Sequence, residues 1–239
     1  MAGASFLIMM PWGRVGSNLL FNSIGQAVGP IARKLANENF NRLRDADAQL
    51  AWAREFYTTP DNPPLVACKQ NILSIADPGK LSDLLAELAV PLIRIRRENI
   101  LKVAVSQLRA ELYAEQSLAL TGVRVWGVRS GREPLGPASL DPERFVQVAV
   151  HARRADEMLA AFSPATRTLD IEYGQLREGG DDVAERVCDW LGLEVAKKAR
   201  PAFAKATPDD LAIAVPNLAD LRQALARSPL AELDAMFDE

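Results

Sequence analysis

Hydrophobic positions along the chain fall into two kinds of run. Four are short and nearly uninterrupted, Phe6 to Met10, Leu65 to Lys69, Leu92 to Arg96 and Thr168 to Ile171. Runs of that length bounded by turn or polar residues read as buried strands of a parallel sheet. Between them, apolar residues recur at helical spacing over Ser17 to Leu35, Leu81 to Ala89, Asn99 to Leu120, Arg144 to Phe162 and Asp182 to Leu191. Strands alternating with helices predict an α/β chain, a three-layer α/β/α architecture around a central parallel sheet. From Lys205 to Ser228 a polar turn leads into an amphipathic helix on Leu218, Leu221 and Leu225.

No repeat, low-complexity tract or long polar linker divides the chain, so residues 1–239 read as a single domain. Two stretches interrupt the alternation, Thr59 to Pro64 and Gly122 to Pro142. The second is long enough for a loop insertion or lid, and Val123 to Trp126 within it alternates like a strand.

Composition narrows the class. The 239 residues are 49% hydrophobic and 25% charged, with a net charge of −3, which excludes disorder and a nucleic-acid coat and makes any phosphate site a local one. Cys68 and Cys188 lie far apart in apolar surroundings, without metal-ligand spacing, and read as buried thiols. The apolar start stops at Pro11, too short for a membrane span, and no basic region precedes it; the expected location is the cytoplasm.

The first strand runs into Pro11-Trp12-Gly13-Arg14-Val15-Gly16-Ser17-Asn18 and then a helix. A strand, a glycine turn and a helix N-terminus together form a phosphate loop, because glycines admit the anion and the first N–H groups point at it. The nucleotide-kinase pattern GxxxxGK[ST] is absent, since Arg14 precedes Gly16 and no Lys stands beside Ser17. A small-molecule kinase of P-loop type is therefore the alternative reading, and a nucleotide-binding module without catalysis a third.

The segment Arg94-Ile-Arg96-Arg97-Glu98-Asn99, followed by a helix carrying Ser106, decides between them. With the phosphate loop it resembles the sulfotransferases, and its Arg97-to-Ser106 spacing is similar to that of the bacterial carbohydrate (trehalose) branch with its P-loop NTPase-like fold. Leu169 to Leu176 and Val187 to Leu193 are similar to two further family segments, with Gly174 standing where an acid is usual. The resemblance implies 3′-phosphoadenosine 5′-phosphosulfate as sulfuryl donor, no metal, and a hydroxyl acceptor of carbohydrate or glycolipid type. It implies that Gly13, Arg14, Gly16, Ser17, Asn18 and Tyr173 contact the donor and that Arg97 with Ser106 holds the 3′-phosphate, Arg96 being the rival.

Arg14 is implied as the charge stabiliser and Glu38, in Asn37-Glu38-Asn39-Phe40, as the catalytic base. Lys69, ending the second strand at the carboxyl edge where ligands of parallel sheets bind, resembles a family lysine and is assigned to substrate binding. The lone His151 flanks an apolar helical stripe and reads as a structural residue. Trp12 and Trp126 read as packing residues, with stacking on adenine or a sugar as the other possibility. The expected partners are small molecules or glycans, with no nucleic acid and no membrane-spanning segment.

Overall fold

In a computed structural model, which describes residues 4–29, 31, 33–126, 135–196, 208 and 210–238, five parallel strands form one sheet. They are β1 (Ala4–Met10), β2 (Arg33–Asn37), β3 (Leu65–Asn71), β4 (Leu92–Arg96) and β5 (Thr168–Glu172), in the order β2-β3-β1-β4-β5. The helices are α1 (Ser17–Ala27), α2 (Ala46–Thr58), α3 (Pro78–Glu87), α4 (Ile100–Thr121), α5 (Pro142–Ala161), α6 (Tyr173–Glu178), α7 (Gly180–Leu191), α8 (Leu211–Ala214) and α9 (Leu218–Ala226). The chain divides into two compact units, Met1–Arg96 with Ala155–Pro201, and Arg97–Arg154 with Ala202–Glu239.

The first unit holds the sheet. Every residue of β3 is buried, as a strand covered on both faces requires. On one face Leu7, Met9, Val66, Cys68 and Leu92 pack with Phe56 of α2, Leu81 and Leu85 of α3, and Leu159 and Phe162. Phe6, Ile8 and Met10, alternate positions of β1 that point the other way, are equally buried. There α1 follows β1 and packs against α7, each burying one stripe. Asp45 and Asp77 cap α2 and α3 by accepting from Ala48 N–H and Lys80 N–H. In the second unit Asn99 caps α4 and its amide donates to the Met236 carbonyl at 2.6 Å, while Asn217 exchanges two bonds with the Leu140 backbone.

Two sequence expectations need correction. The helix over Ser17 to Leu35 ends at Ala27, where Val28 and Gly29 at φ +69° stop it, and Arg33–Asn37 is the edge strand β2. Val123 to Trp126 is not a strand; Gly122 ends α4 in the left-handed region and Arg124 lies over the exposed Trp126 ring. The amphipathic C-terminal helix on Leu218, Leu221 and Leu225 is α9, and the short α8 ahead of it ends at Val215, which takes extended geometry before Pro216. Of the expected lid over Gly122 to Pro142, residues 127–134 lie outside the described residues.

Both thiols are buried, and burial pushes Cys68 up to about 12 and Cys188 up to about 11. At pH 8 the folded protein should therefore resist a thiol-titrating disulfide reagent, both groups reacting only after denaturation. Labelling of the folded chain at Cys68 would show that β3 is not covered on both faces.

Candidate functional site

The site of the first unit is built at the carboxyl ends of β1, β2 and β3. Residues 11–16 reverse the chain through two left-handed positions, Arg14 at φ +68° and Gly16 at φ +81°. The conformation is easy for glycine and costs a side-chain-bearing residue roughly 1 kcal/mol, so Arg14 is held there by its surroundings. A Cβ on Gly16 would meet Leu176 Cδ1 and Tyr173 Cδ2 at 3.0 Å each. The loop is thus clamped by the first turn of α6, and only glycine fits beneath the Tyr173 ring. Burial lowers the Arg14 pKa, and the Tyr173 phenol works the other way.

Helix α1 starts from Gly16 without a side-chain cap, in contrast to α2, α3 and α4. Its first N–H groups carry the positive end of the helix dipole. Ser17 is buried and its hydroxyl donates to the Met10 thioether, so what it presents outward is backbone.

Lys69 joins this loop to Glu38. The β2–β3 register sets Asn37 beside Lys69, and the Glu38 N–H donates to the Lys69 carbonyl at 2.7 Å. The Lys69 side chain is 1% exposed, and its Nζ donates to Asn18 Oδ1 and Glu38 Oε1, both at 2.8 Å. The other carboxylate oxygen, Oε2, accepts from Asn41 Nδ2 at 3.1 Å, and Asn41 Oδ1 accepts from Asn71 Nδ2 at 3.1 Å. Glu38 is itself left-handed at φ +54°, the turn that lifts its carboxylate back over the strand end. Three residues expected separately, Asn18, Glu38 and Lys69, are one hydrogen-bonded chain; Asn41 and Asn71, its outer members, were not foreseen.

The basic strand end divides its labour. Arg96 forms a two-bond pair with Asp156, at 2.8 and 2.5 Å, and Arg94 a similar pair with Asp170 at 2.7 and 2.8 Å. Both are therefore committed to carboxylates of their own unit. In the second unit Ser106 is buried on α4, on one face with the buried Lys102 and Arg109. Arg97 begins that unit, in the turn before α4. Elsewhere, Trp12 is half-buried against the core, Gly174 has open space around its Cα, and His151 is exposed on α5. Burial and the nearby Arg154 and Arg144 depress the His151 pKa, which keeps it neutral at pH 7. Among the described residues no helix is long and apolar enough to cross a membrane.

No family model and no curated protein matches the chain. Solved structures that align with it include three sulfotransferases or sulfotransferase domains. A sulfotransferase from Alicyclobacillus acidocaldarius is 13% identical at a TM-score of 0.44, with 97% of this chain and 99% of that one covered. The sulfotransferase domain of the Synechococcus PCC 7002 olefin synthase is 12% identical at 0.45, covering 100% and 96%. The sulfotransferase domain of the curacin biosynthetic pathway is 13% identical at 0.40, covering 81% and 75%.

Proposed function

We propose that the protein is a sulfotransferase that moves a sulfuryl group from 3′-phosphoadenosine 5′-phosphosulfate to a hydroxyl acceptor. The observation that carries this reading is the bond chain Asn18–Lys69–Glu38, which ties a phosphate-type loop to a carboxylate through a buried ammonium. A kinase would place a lysine directly after Gly16 and a hydroxyl at a metal; here the position is Ser17, turned inward onto Met10.

In this reading the acceptor oxygen attacks sulfur while the bond from sulfur to the 5′-phosphate oxygen breaks. The acceptor proton passes to Glu38, and 3′-phosphoadenosine 5′-phosphate leaves with the bonding electron pair. Arg14, Lys69 and the uncapped N–H groups of α1 offset the negative charge that builds on the sulfuryl and leaving oxygens. Gly13, Gly16 and Asn18 belong to the loop around the phosphosulfate, and Tyr173 fixes its shape. Arg97 and Ser106 hold the 3′-phosphate. Arg97 is taken over Arg96 on the Arg97-to-Ser106 spacing that the sequence resemblance gives. The resemblance of the sequence adds that the acceptor hydroxyl belongs to a carbohydrate or glycolipid.

Calorimetric titration with 3′-phosphoadenosine 5′-phosphate, against ADP with magnesium, tests the donor. Binding of the first alone is expected; preference for ADP with magnesium would move the chain to the kinases. Arg97→Ala should weaken that binding by about 1.5–3 kcal/mol, the loss of one charge-assisted set of bonds. Arg96→Ala should leave binding intact and instead lower stability by about 1–2 kcal/mol, since Asp156 would be left without its partner; the reverse pattern would exchange their roles.

The base is tested by Glu38→Gln, whose amide oxygen still accepts from Lys69 so that the fold is kept. Turnover should drop by roughly 100-fold or more with donor binding unchanged. Full activity in that variant would exclude Glu38 as the proton acceptor. Glu38→Ala, which leaves a buried ammonium with Asn18 alone, should in addition melt earlier, by about 1–3 kcal/mol of stability.

A further inference from the structure

The two oxygens of the Glu38 carboxylate are held by different means. Oε1 accepts from the Lys69 ammonium at 2.8 Å, and Oε2 accepts from Asn41 Nδ2 at 3.1 Å. The Asn41 amide is in turn oriented from behind. Asn71, buried at the end of β3, donates from Nδ2 to Asn41 Oδ1 at 3.1 Å, and its own Oδ1 accepts from the Ser74 N–H at 2.9 Å.

The last member of this relay sets its direction. An asparagine amide can turn end for end, exchanging a donor for an acceptor with almost no change of shape. A backbone N–H cannot. With the Ser74 N–H aimed at it, Asn71 presents oxygen to the turn Ile72–Ser74 and its NH2 to Asn41. Asn41 must then present oxygen to Asn71 and its NH2 to Glu38. The Ser74 hydroxyl donates to the Asn71 carbonyl at 2.8 Å and closes that turn. Lys69 and Asn71 are alternate residues of β3 and lie on one face of it. One strand therefore reaches Glu38 twice, by an ammonium at Oε1 and through Asn41 at Oε2.

An ionised carboxylate offers two lone pairs on each oxygen. The Asn41 bond takes one of those on Oε2, and no second bond to that oxygen is present among the described residues. We infer that Asn41, oriented by Asn71, is a positioning residue for sulfuryl transfer, fixing the plane of the Glu38 carboxylate so that the remaining lone pair of Oε2 receives the acceptor's proton. The inference rests on the sulfuryl-transfer reading and on Glu38 as its base. In that step the acceptor oxygen bonds to sulfur as its proton bonds to Oε2, and 3′-phosphoadenosine 5′-phosphate leaves with the electron pair of the broken sulfur–oxygen bond. Without Asn41 the carboxylate is hinged on its Lys69 bond alone, and misdirection of the lone pair costs rate, not donor affinity.

The test follows release of 3′-phosphoadenosine 5′-phosphate from the donor by the intact protein, with trehalose as the acceptor probe; release counts transfer to trehalose and to water alike. Asn41 is exposed, so Asn41→Ala should keep the melting temperature and the KM for the donor while kcat falls by roughly tenfold or more. Asn71→Asp still accepts from the Ser74 N–H but faces Asn41 with an acceptor, which turns the Asn41 NH2 away from Glu38. The same fall in kcat is expected. In a Glu38→Gln background, where no base remains to be positioned, adding Asn41→Ala should change the residual rate by less than about twofold. Full kcat in Asn41→Ala or Asn71→Asp, a loss confined to KM, or an equal further loss in the Glu38→Gln background would each overturn the inference and leave Glu38 as base. Full activity of Glu38→Gln, or no release by the unaltered protein above the protein-free rate, defeats the reading beneath it.

Discussion

A buried ammonium is the constraint from which the rest of the first unit follows. Lys69 lies on a strand buried throughout and is 1% exposed. A charge taken from water at that depth is costly unless it is paired and hydrogen-bonded. Both partners come from elsewhere in sequence, Asn18 from 51 residues before and Glu38 from 31 before. Satisfying one nitrogen therefore fixes the first turn of α1 and the exit of β2 relative to β3. Glu38 adopts a left-handed backbone to reach it, and the bond from its N–H to the Lys69 carbonyl holds that turn in place.

The phosphate-type loop depends on the same principle of strain held by packing. Arg14 and Gly16 are both left-handed, and the ring of Tyr173 with the methyl of Leu176 closes over Gly16. Helix α6 follows directly on β5, so the far side of the sheet, through β1 and β4, determines where that clamp falls. A parallel sheet makes this economical, because every strand delivers its carboxyl end, and hence its following turn, to one edge.

Much of this was legible in the chain, and what was not has physical reasons. Strands β1, β3 and β4 announced themselves by short apolar runs that are buried on both faces, whereas β5, the other edge strand with only Ile171 buried, was read from Leu169 and Ile171 between turn residues. The edge strand β2, Arg-Lys-Leu-Ala-Asn, has only Ala36 buried, so its pattern carries no two-face signal and its leading residues merged into the helix before it. Helix α2 is amphipathic only weakly, burying Gln49, Ala53 and Phe56, and it passed unnoticed. Among site residues, the type and order of Arg14, Glu38, Lys69 and Arg97 were readable by resemblance. Their bonding was not, since no local spacing encodes a contact across 31 or 51 positions. Arg96 and Arg97 were indistinguishable for the same reason: Asp156, which commits Arg96, stands 60 residues away.

The pairing of Glu38 with Lys69 also bears on how a carboxylate there would serve as base. Glu38 supplies the negative charge to which the buried Lys69 ammonium is bonded. Taking up the acceptor's proton would leave Lys69 with a neutral acid and an uncompensated buried charge, a poor state for an enzyme to pass through. The difficulty vanishes if negative charge arrives at Lys69 as the proton arrives at Glu38. In sulfuryl transfer that charge develops on the leaving phosphate oxygen, at the loop to which Lys69 is already bonded through Asn18. The arrangement then penalises proton transfer without a donor in place and relieves the penalty as the donor's bond breaks, so that the same ammonium that holds the fold together would couple the two halves of the reaction.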